Sequence, residues 1–222
     1  MRKLTGAVFL SLDGVMQAPG GPDEDPSGGF QFGGWTHPFS DESSRAPMGR
    51  YLMEPDYDLL LGRRTYDIFA AFWPYNQDNP IGSKFQRINK YVLTHSDSVL
   101  NWENSYPLQG PTAQTVEELK HSDGRDLLIQ GSSTLYPPLL SAGLIDRLIL
   151  MIFPVMLGDG KRIFNGSQHP GALKIVDHSI SDQGVLFLTY EPAGEVPTGS
   201  FVTGEPSPDE IERRHKIEAG TW

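Results

Sequence analysis

No cysteine occurs among the 222 residues. Disulfides, iron–sulfur clusters, cysteine-based zinc sites and thiol nucleophiles are therefore excluded, and the composition suits a reducing compartment. Positive charge is scarce: 18 Lys and Arg stand against 28 Asp and Glu, a formal net charge of −10. An acidic chain repels nucleic-acid phosphate and anionic lipid at long range. Nucleic acid is thus not an expected partner, and any anion site must be a local concentration of Lys or Arg. Long apolar runs are missing too. None approaches the ~20 residues of a membrane span, and Met1-Arg2-Lys3 leads into a short alternating segment without the apolar stretch of a signal peptide. The expectation is a cytoplasmic protein with no membrane partner.

Several catalytic signatures are also absent. Gly158-Asp159-Gly160 lacks the third glycine of a dinucleotide fingerprint, and Gly160-Lys161 runs into Arg162, so it is not a P-loop. The six histidines (His37, His95, His121, His169, His178, His215) show no metal-ligand spacing. Asp23-Glu24-Asp25 does not fit an EF-hand and reads as a solvated acidic loop. No metal is expected. Without a Gly-x-Ser-x-Gly elbow a serine hydrolase is disfavoured. Asn165-Gly166-Ser167 has the form of a glycosylation sequon but, with no secretion signal, is taken as a turn.

What the chain has in excess is glycine (24) and proline (18). Eleven of these fall in the 25 residues from Gly14 to Pro38, and seven in the 19 from Pro192 to Glu210. The first segment also carries Phe30, Phe32 and Trp35, which a solvated linker does not need, so it is expected to be a binding-site loop. The second introduces a charged helix over Asp209 to Ala219, outside the core. The expected organisation is a domain over residues 1–191 and a linker with a helical tail over 192–222.

Between these segments, apolar runs alternate with helical spacing. Leu4 to Leu12 reads as a buried strand, and Arg45 to Met53 as a helix with Pro47 in its first turn and Ser43 or Ser44 as cap. Strand Tyr57 to Leu61 leads through Gly62 into a helix over Arg63 to Trp73, a βα unit. A helix over Ile81 to Ile88, a strand over Lys90 to Thr94 and a helix over Val116 to His121 follow. Strand Asp126 to Gln130, the turn Gly131 to Thr134 and helix Leu135 to Ala142 repeat the βα pattern. The strands Arg147 to Val155, Leu173 to His178 and Val185 to Tyr190 then succeed one another without helices, which implies antiparallel pairing. The fold class is therefore α/β: a mixed, mainly parallel sheet with flanking helices and an antiparallel C-terminal hairpin.

In such a sheet, ligands bind beyond the carboxyl ends of the parallel strands, where helix N-termini present free N–H groups. Three consecutive strand ends here carry anion-friendly groups. Gly62-Arg63-Arg64-Thr65 offers two guanidiniums and a hydroxyl, Thr94-His95-Ser96 two hydroxyls and an imidazole, and Gly131-Ser132-Ser133-Thr134 close backbone approach. Taken singly, a basic pair is a common solvated face and a Ser/Thr cluster a common helix cap. Three in consecutive positions point to nucleotide binding.

These residues also carry a resemblance. Ser11-Leu12-Asp13-Gly14-Val15, the Gly-Arg-x-Thr-Tyr at 62 to 66, Leu93-Thr94, the Gly131 turn, and above all Leu144-Ile145-Asp146-Arg147 with Pro154-Val155-Met156-Leu157-Gly158-Asp159-Gly160-Lys161-Arg162-Ile163-Phe164 resemble the dihydrofolate reductase-like family. That family includes the reductase domain of the bifunctional riboflavin-biosynthesis protein. The likeness covers residues 3 to 191. It implies NADPH as cofactor, with Gly62, Arg63, Arg64 and Thr65 at its phosphates, Thr94, His95 and Ser96 around the adenosine 2′-phosphate, and Gly131, Ser132, Ser133, Thr134 and Leu135 along the pyrophosphate. Asp13, Gly14, Val15 and Met16 would border the nicotinamide, and the Gly158-Asp159-Gly160-Lys161 loop is either part of a substrate pocket or a plain turn between core elements. The bifunctional relative's zinc deaminase needs a Cys-x-x-Cys pair, which this chain lacks, so the expectation is a stand-alone reductase. A homodimer is expected from the resemblance alone.

The expected activity is hydride transfer from NADPH to a C=N or C=O bond of a small, pteridine- or pyrimidine-like substrate. Asp13 is the candidate for delivering or relaying the proton, against the alternative that it hydrogen-bonds backbone in a tight Asp-Gly turn. Phe32 and Trp35 are expected to close over the substrate and exclude water. The competing expectation is a nucleotide-binding protein of the same fold without turnover.

Overall fold

The computed structural model describes residues 1–222 apart from Ser98, Asn165, Ser167 and Gln168. Two residues of the sequon named above, Asn165 and Ser167, thus lie outside the described residues. The chain runs β1 (Leu4–Ser11), α1 (Glu42–Leu52), β2 (Tyr57–Gly62), α2 (Arg63–Phe72), α3 (Pro80–Arg87), β3 (Lys90–Leu93), β4 (Ser105–Leu108), α4 (Thr112–His121), β5 (Asp126–Ile129), α5 (Tyr136–Ser141), β6 (Arg147–Phe153), β7 (Leu173–Ile180), β8 (Leu186–Pro192) and α6 (Pro208–Glu218). Eight strands form one sheet in the order β4-β3-β2-β5-β1-β6-β8-β7. Pairing is parallel from β4 to β6 and antiparallel from β6 through β8 to β7. The mixed sheet expected from the strand pattern is the one the chain forms.

Each central strand is apolar on both sides because helices cover both faces. Leu59, Leu61, Leu128 and Met151 pack on one face with Tyr51 and Leu52 of α1, Tyr66 of α2 and Phe85 of α3. Leu60, Leu127, Ile129 and Leu150 pack on the other with Val116 of α4 and Tyr136 and Leu139 of α5. Gly6 is the close-approach point: a Cβ there would stand 2.7 Å from Tyr136 Cε1.

Two expectations change. Helix α1 begins earlier than the Arg45 start, because Asp41 accepts from Ser44 N at 2.7 Å while Ser44 Oγ accepts from Asp41 N at 3.1 Å, a reciprocal capping box. Asp41, not Ser43 or Ser44, is the cap, and Pro47 sits inside the helix rather than in its first turn. Strand β4 was not anticipated: with Pro107 and a half-exposed Tyr106 it has no alternating pattern, and an edge position is where a proline is tolerated.

The hairpin closes at Ser181–Gly184, where Gly184 N donates to Ser181 O at 2.9 Å. Beyond it, α6 is capped by Ser207 and buries none of its side chains.

One topological detail creates the site. Strand β1 pairs with β5 only at Leu4–Gly6, whereas its pairing with β6 continues to Ser11. The connection from β1 to β2 carries α1 over one face of the sheet and that from β5 to β6 carries α5 over the other. A crevice opens beside Ala7, Val8 and Phe9 at the carboxyl end of the sheet.

Candidate functional site

This crevice is a cleft of about 580 Å³, within the size range of small-molecule and cofactor sites. Its walls come from the loop after β1 (Met16 to Pro19, Glu24, Asp25), the β2–α2 junction (Gly62 to Thr65), the end of β3 (Leu93 to His95), the β5–α5 turn (Gln130 to Leu135) and Lys161. All three strand ends singled out in the sequence therefore meet in one cavity.

Glycine sets how closely two of those ends approach. A Cβ on Gly62 would stand 2.4 Å from Ser132 Oγ, and one on Gly131, whose φ is +138°, would stand 2.7 Å from Thr65 Oγ1. Thr65 and Ser132 hydroxyls are 3.0 Å apart across this contact. The Gly131–Ser132 peptide is cis. Thr94 is buried, with Oγ1 accepting from Ser96 N at 3.0 Å, while His95 stands exposed at the rim. Ser96 lies outside the cleft lining. Arg63 Nε is paired with Asp67 at 2.8 Å along α2.

The first strand end behaves differently from what was expected. Asp13 does not line the cleft. Its carboxylate accepts from Ser11 Oγ at 2.6 Å, Leu157 N at 3.1 Å and Gly158 N at 2.8 Å, with Arg162 Nη2 at 3.3 Å. The Ser11 hydroxyl, followed by the Leu157 and Gly158 amides, outweighs partial desolvation and holds the Asp13 carboxyl at about 2. Asp13 thus clamps the loops after β1 and β6 and stands apart from the cleft lining. Gly14 (φ +83°) completes that turn, and Val15 is fully buried beneath it, so of this group Met16 alone reaches the cleft.

Trp35 also stands away from the cleft. It is 6 % exposed, packs edge-on against Phe153 at 5.3 Å and donates Nε1–H to Gln17 O at 2.8 Å. It anchors the long loop to the sheet and is absent from the cleft lining. Phe32 stands 53 % exposed against Phe30 and also lies outside the lining. The two aromatics expected over the substrate thus serve the loop's own packing.

Lys161 of the Gly158–Lys161 loop reaches the cleft, and so do three polar residues of the long loop that no sequence motif singled out: Gln17, Glu24 and Asp25. Burial pushes the Glu24 carboxyl up, partly offset by the Gly20 and Gly21 amides that its Oε2 accepts at 2.6 and 3.2 Å. Burial also pushes Asp25 up, yet hydrogen bonds from Lys161 and Ser27 and the Lys161 charge overcome it and hold Asp25 at about 2. The acidic run expected to be solvated therefore splits, with Asp23 outside and the next two residues facing the cleft. Asp25 and Lys161 are 136 positions apart, and no local pattern announces such a pair.

The fold and cleft have counterparts among known proteins. The family model of the RibD C-terminal domain matches residues 2–187. The uncharacterized protein YyaP of Bacillus subtilis (strain 168) is 26 % identical over 136 residues, 60 % of this chain and 72 % of that protein. Among solved structures, a putative riboflavin biosynthesis protein from Shewanella sp. PV-4 superposes with a TM-score of 0.58 at 20 % identity, covering 87 % of this chain and 99 % of that one. A pyrimidine reductase-like protein from Corynebacterium diphtheriae gives 0.54 at 13 % identity, over 87 % and 93 %. At these identities the structural likenesses speak for the fold alone.

Proposed function

We propose, from the premise that the chain belongs to the RibD C-terminal domain family and is a reductase of the riboflavin-pathway type, that it reduces a C=N or C=O bond of a small, pyrimidine- or pteridine-like substrate with NADPH. The observation that supports this most is the convergence of Gly62–Thr65, Thr94–His95 and Gly131–Leu135 on one cleft. Bound there, a reduced nicotinamide would supply the hydride.

The residues present fit such a cofactor. The glycine contacts at 62 and 131 leave backbone where side chains would otherwise fill the crevice. Arg63 and Arg64 at the start of α2 offer forked donors to phosphate oxygens, and the dipole of α2 points its positive end the same way. In this reading His95 at the rim takes the adenosine 2′-phosphate, and Met16 to Ala18 border the nicotinamide. The apolar side chains of Val8, Phe9, Ile68 and Phe69 keep water from the inner wall. Of the two carboxyls in the cleft lining Asp25 is paired with Arg64 and Lys161, so Glu24, which burial pushes up, takes the role of proton source in this reading. Residues 1–191 form the reductase domain in this view and 192–222 an appended tail; the protein acts in the cytoplasm as a homodimer. No helix among the described residues is long and apolar enough to cross a membrane.

The deciding experiment follows NADPH binding by fluorescence and its consumption by absorbance with a panel of imines, dihydropterins and pyrimidines. Binding with turnover of at least one compound is expected. NADPH affinity should fall about tenfold or more in Arg63→Ala or Arg64→Ala, the scale of one lost charge-assisted contact, and a fall in the preference for NADPH over NADH in the same variants would place an arginine beside His95 at the 2′-phosphate. Binding without turnover would leave a nucleotide-binding protein of the same fold, and no binding of either nicotinamide cofactor would remove the reductase proposal.

A further inference from the structure

The Arg64 and Lys161 side chains converge on one anion. Arg64 Nη1 stands 3.2 and 3.3 Å from the two carboxylate oxygens of Asp25 and donates to Ser27 Oγ at 2.9 Å. Lys161 Nζ donates to the same carboxylate and to Ser27 Oγ at 2.8 Å. One cation belongs to the first turn of α2 and the other to the segment after β6, so the Asp25 carboxylate bridges two walls of the cleft. It is well sheltered, with its side chain 12 % exposed.

The carboxylate comes from the long loop, not from the frame. Ser27 Oγ steadies it at 2.6 Å, and Gln17 fastens the surrounding backbone, donating Nε2–H to Asp25 O at 3.0 Å and Ser27 O at 2.8 Å while its Oε1 accepts from Lys161 N at 3.1 Å. Arg64 stands on α2 and Lys161 is tied through its backbone to Met16 and Gln17 just beyond β1, whereas the anion stands farther out on the long loop and is the replaceable part.

We propose that Arg64 and Lys161 form an anion subsite for a phosphate group, and that Asp25 fills this subsite in the ligand-free chain and yields it when a phosphate enters. Phosphate carries more charge than a carboxylate and three oxygens against two. It can engage the Arg64 fork and the Lys161 ammonium at once. The displaced carboxylate is hydrated and carries its loop segment with it. Because the free chain spends most of its time with the subsite filled, the apparent affinity for phosphate is lowered by the fraction of chains in which it is open. The proposal rests on the phosphorylated-cofactor function only for the identity of the ligand, since the anion chemistry stands without hydride transfer. The phosphate belongs either to the cofactor or to a phosphorylated substrate.

The test titrates inorganic pyrophosphate into the full chain by calorimetry. Asp25→Asn, which keeps the shape and removes the charge, is expected to bind pyrophosphate about tenfold more tightly than the parent. Asp25→Glu should stay near the parent, and adding Lys161→Met to Asp25→Asn should abolish the gain. Ser27→Ala, which loosens Asp25 without altering its charge, should show a smaller gain of the same sign and serves if Asp25→Asn fails to fold. Equal or weaker binding by folded Asp25→Asn or Ser27→Ala overturns the proposal. In Asp25→Asn saturated with NADPH, loss of the pyrophosphate gain assigns the subsite to the cofactor. A persistent gain that ribose 5-phosphate shares assigns it to a substrate phosphate. Tighter pyrophosphate binding with no affinity for NADPH or NADH would uphold the subsite and overturn the cofactor proposal.

Discussion

At the amino end of the parallel strands, Arg2 is 3 % exposed, donates to Asp58 at 2.8 Å and lies over the Tyr91 ring; at the carboxyl end, the Arg64 side chain is more than half exposed and leans on a loop carboxylate. The amino end is stapled throughout. Asp58 also accepts from Asn89 N at 3.1 Å, Asp126 from Lys3 N at 2.7 Å, and Asp146 from both Leu4 N and Lys120 Nζ at 2.6 Å. Asp58 and Asp146 each satisfy a backbone amide as well as a cation, so removing either would strand a backbone group and a charge together, while Asp126 holds the Lys3 amide. The carboxyl end finishes instead in Gly62, Thr94 and the Gly131 turn, where Arg64 and Lys161 reach the side chains of Asp25 and Ser27 on the long loop. Ion pairs built into the frame hold the fold, whereas a pair that a loop makes with the frame can be exchanged for a ligand.

The largest expected effect breaks the amino end. Asp58→Ala leaves Arg2 buried and uncompensated, and urea unfolding should show a loss of about 3–5 kcal/mol, with NADPH affinity unchanged under conditions where the variant is folded. A loss below ~1 kcal/mol would erase the contrast between the two ends.

A middle-sized effect belongs to Asp13, which sits at the carboxyl end but is wired like the amino end. Its folded carboxyl is lowered from 3.8 to about 2, so its contribution is complete above pH ~4, declines as pH falls toward ~2 and is gone below that. With its side chain 22 % exposed, the contribution is worth about 1–2 kcal/mol after allowance for solvent screening. Asp13→Asn should lose that amount at neutral pH and show a flatter acid limb, while reduction proceeds with altered rate at most. Abolished turnover in a fully folded Asp13→Asn would restore the proton-donor role.

The smallest effect is expected at Asp67. Its pair with Arg63 is exposed and one helical turn long, so Asp67→Ala should change stability by no more than about 0.5 kcal/mol and leave NADPH affinity unchanged or slightly raised. A loss of several-fold in affinity would show that Asp67 positions Arg63 for the ligand.

Much of the fold was legible because its signals are local. Tyr57 to Leu61 and Asp126 to Gln130 are near-continuous apolar runs, the mark of strands covered on both faces, and the structure places strands at both, shifted by a residue at one end. The cap of α1 was misjudged by position, since Asp41 competes with two neighbouring serines and the reciprocal bond to Ser44 decides between them. The long loop's character was readable from its glycines and prolines, but not the destination of its aromatics. Trp35 is buried because Phe153, 118 positions later in the chain, offers a ring face within the core.

By itself, then, the sequence determined the alternation of strand and helix, the glycine-marked strand ends and the grouping of Arg63, Arg64 and Thr65, because backbone propensity and apolar periodicity act over a few residues. Only the tertiary structure decided that β1 and β5 part after Gly6 to open the cleft, that Asp13 turns away to clamp Leu157 and Gly158, and that Asp25 meets Arg64 and Lys161. Those outcomes depend on which distant groups the sheet order brings within hydrogen-bonding distance. A charge in the sequence carries no record of its partner until the fold has set the distance and removed the water between them.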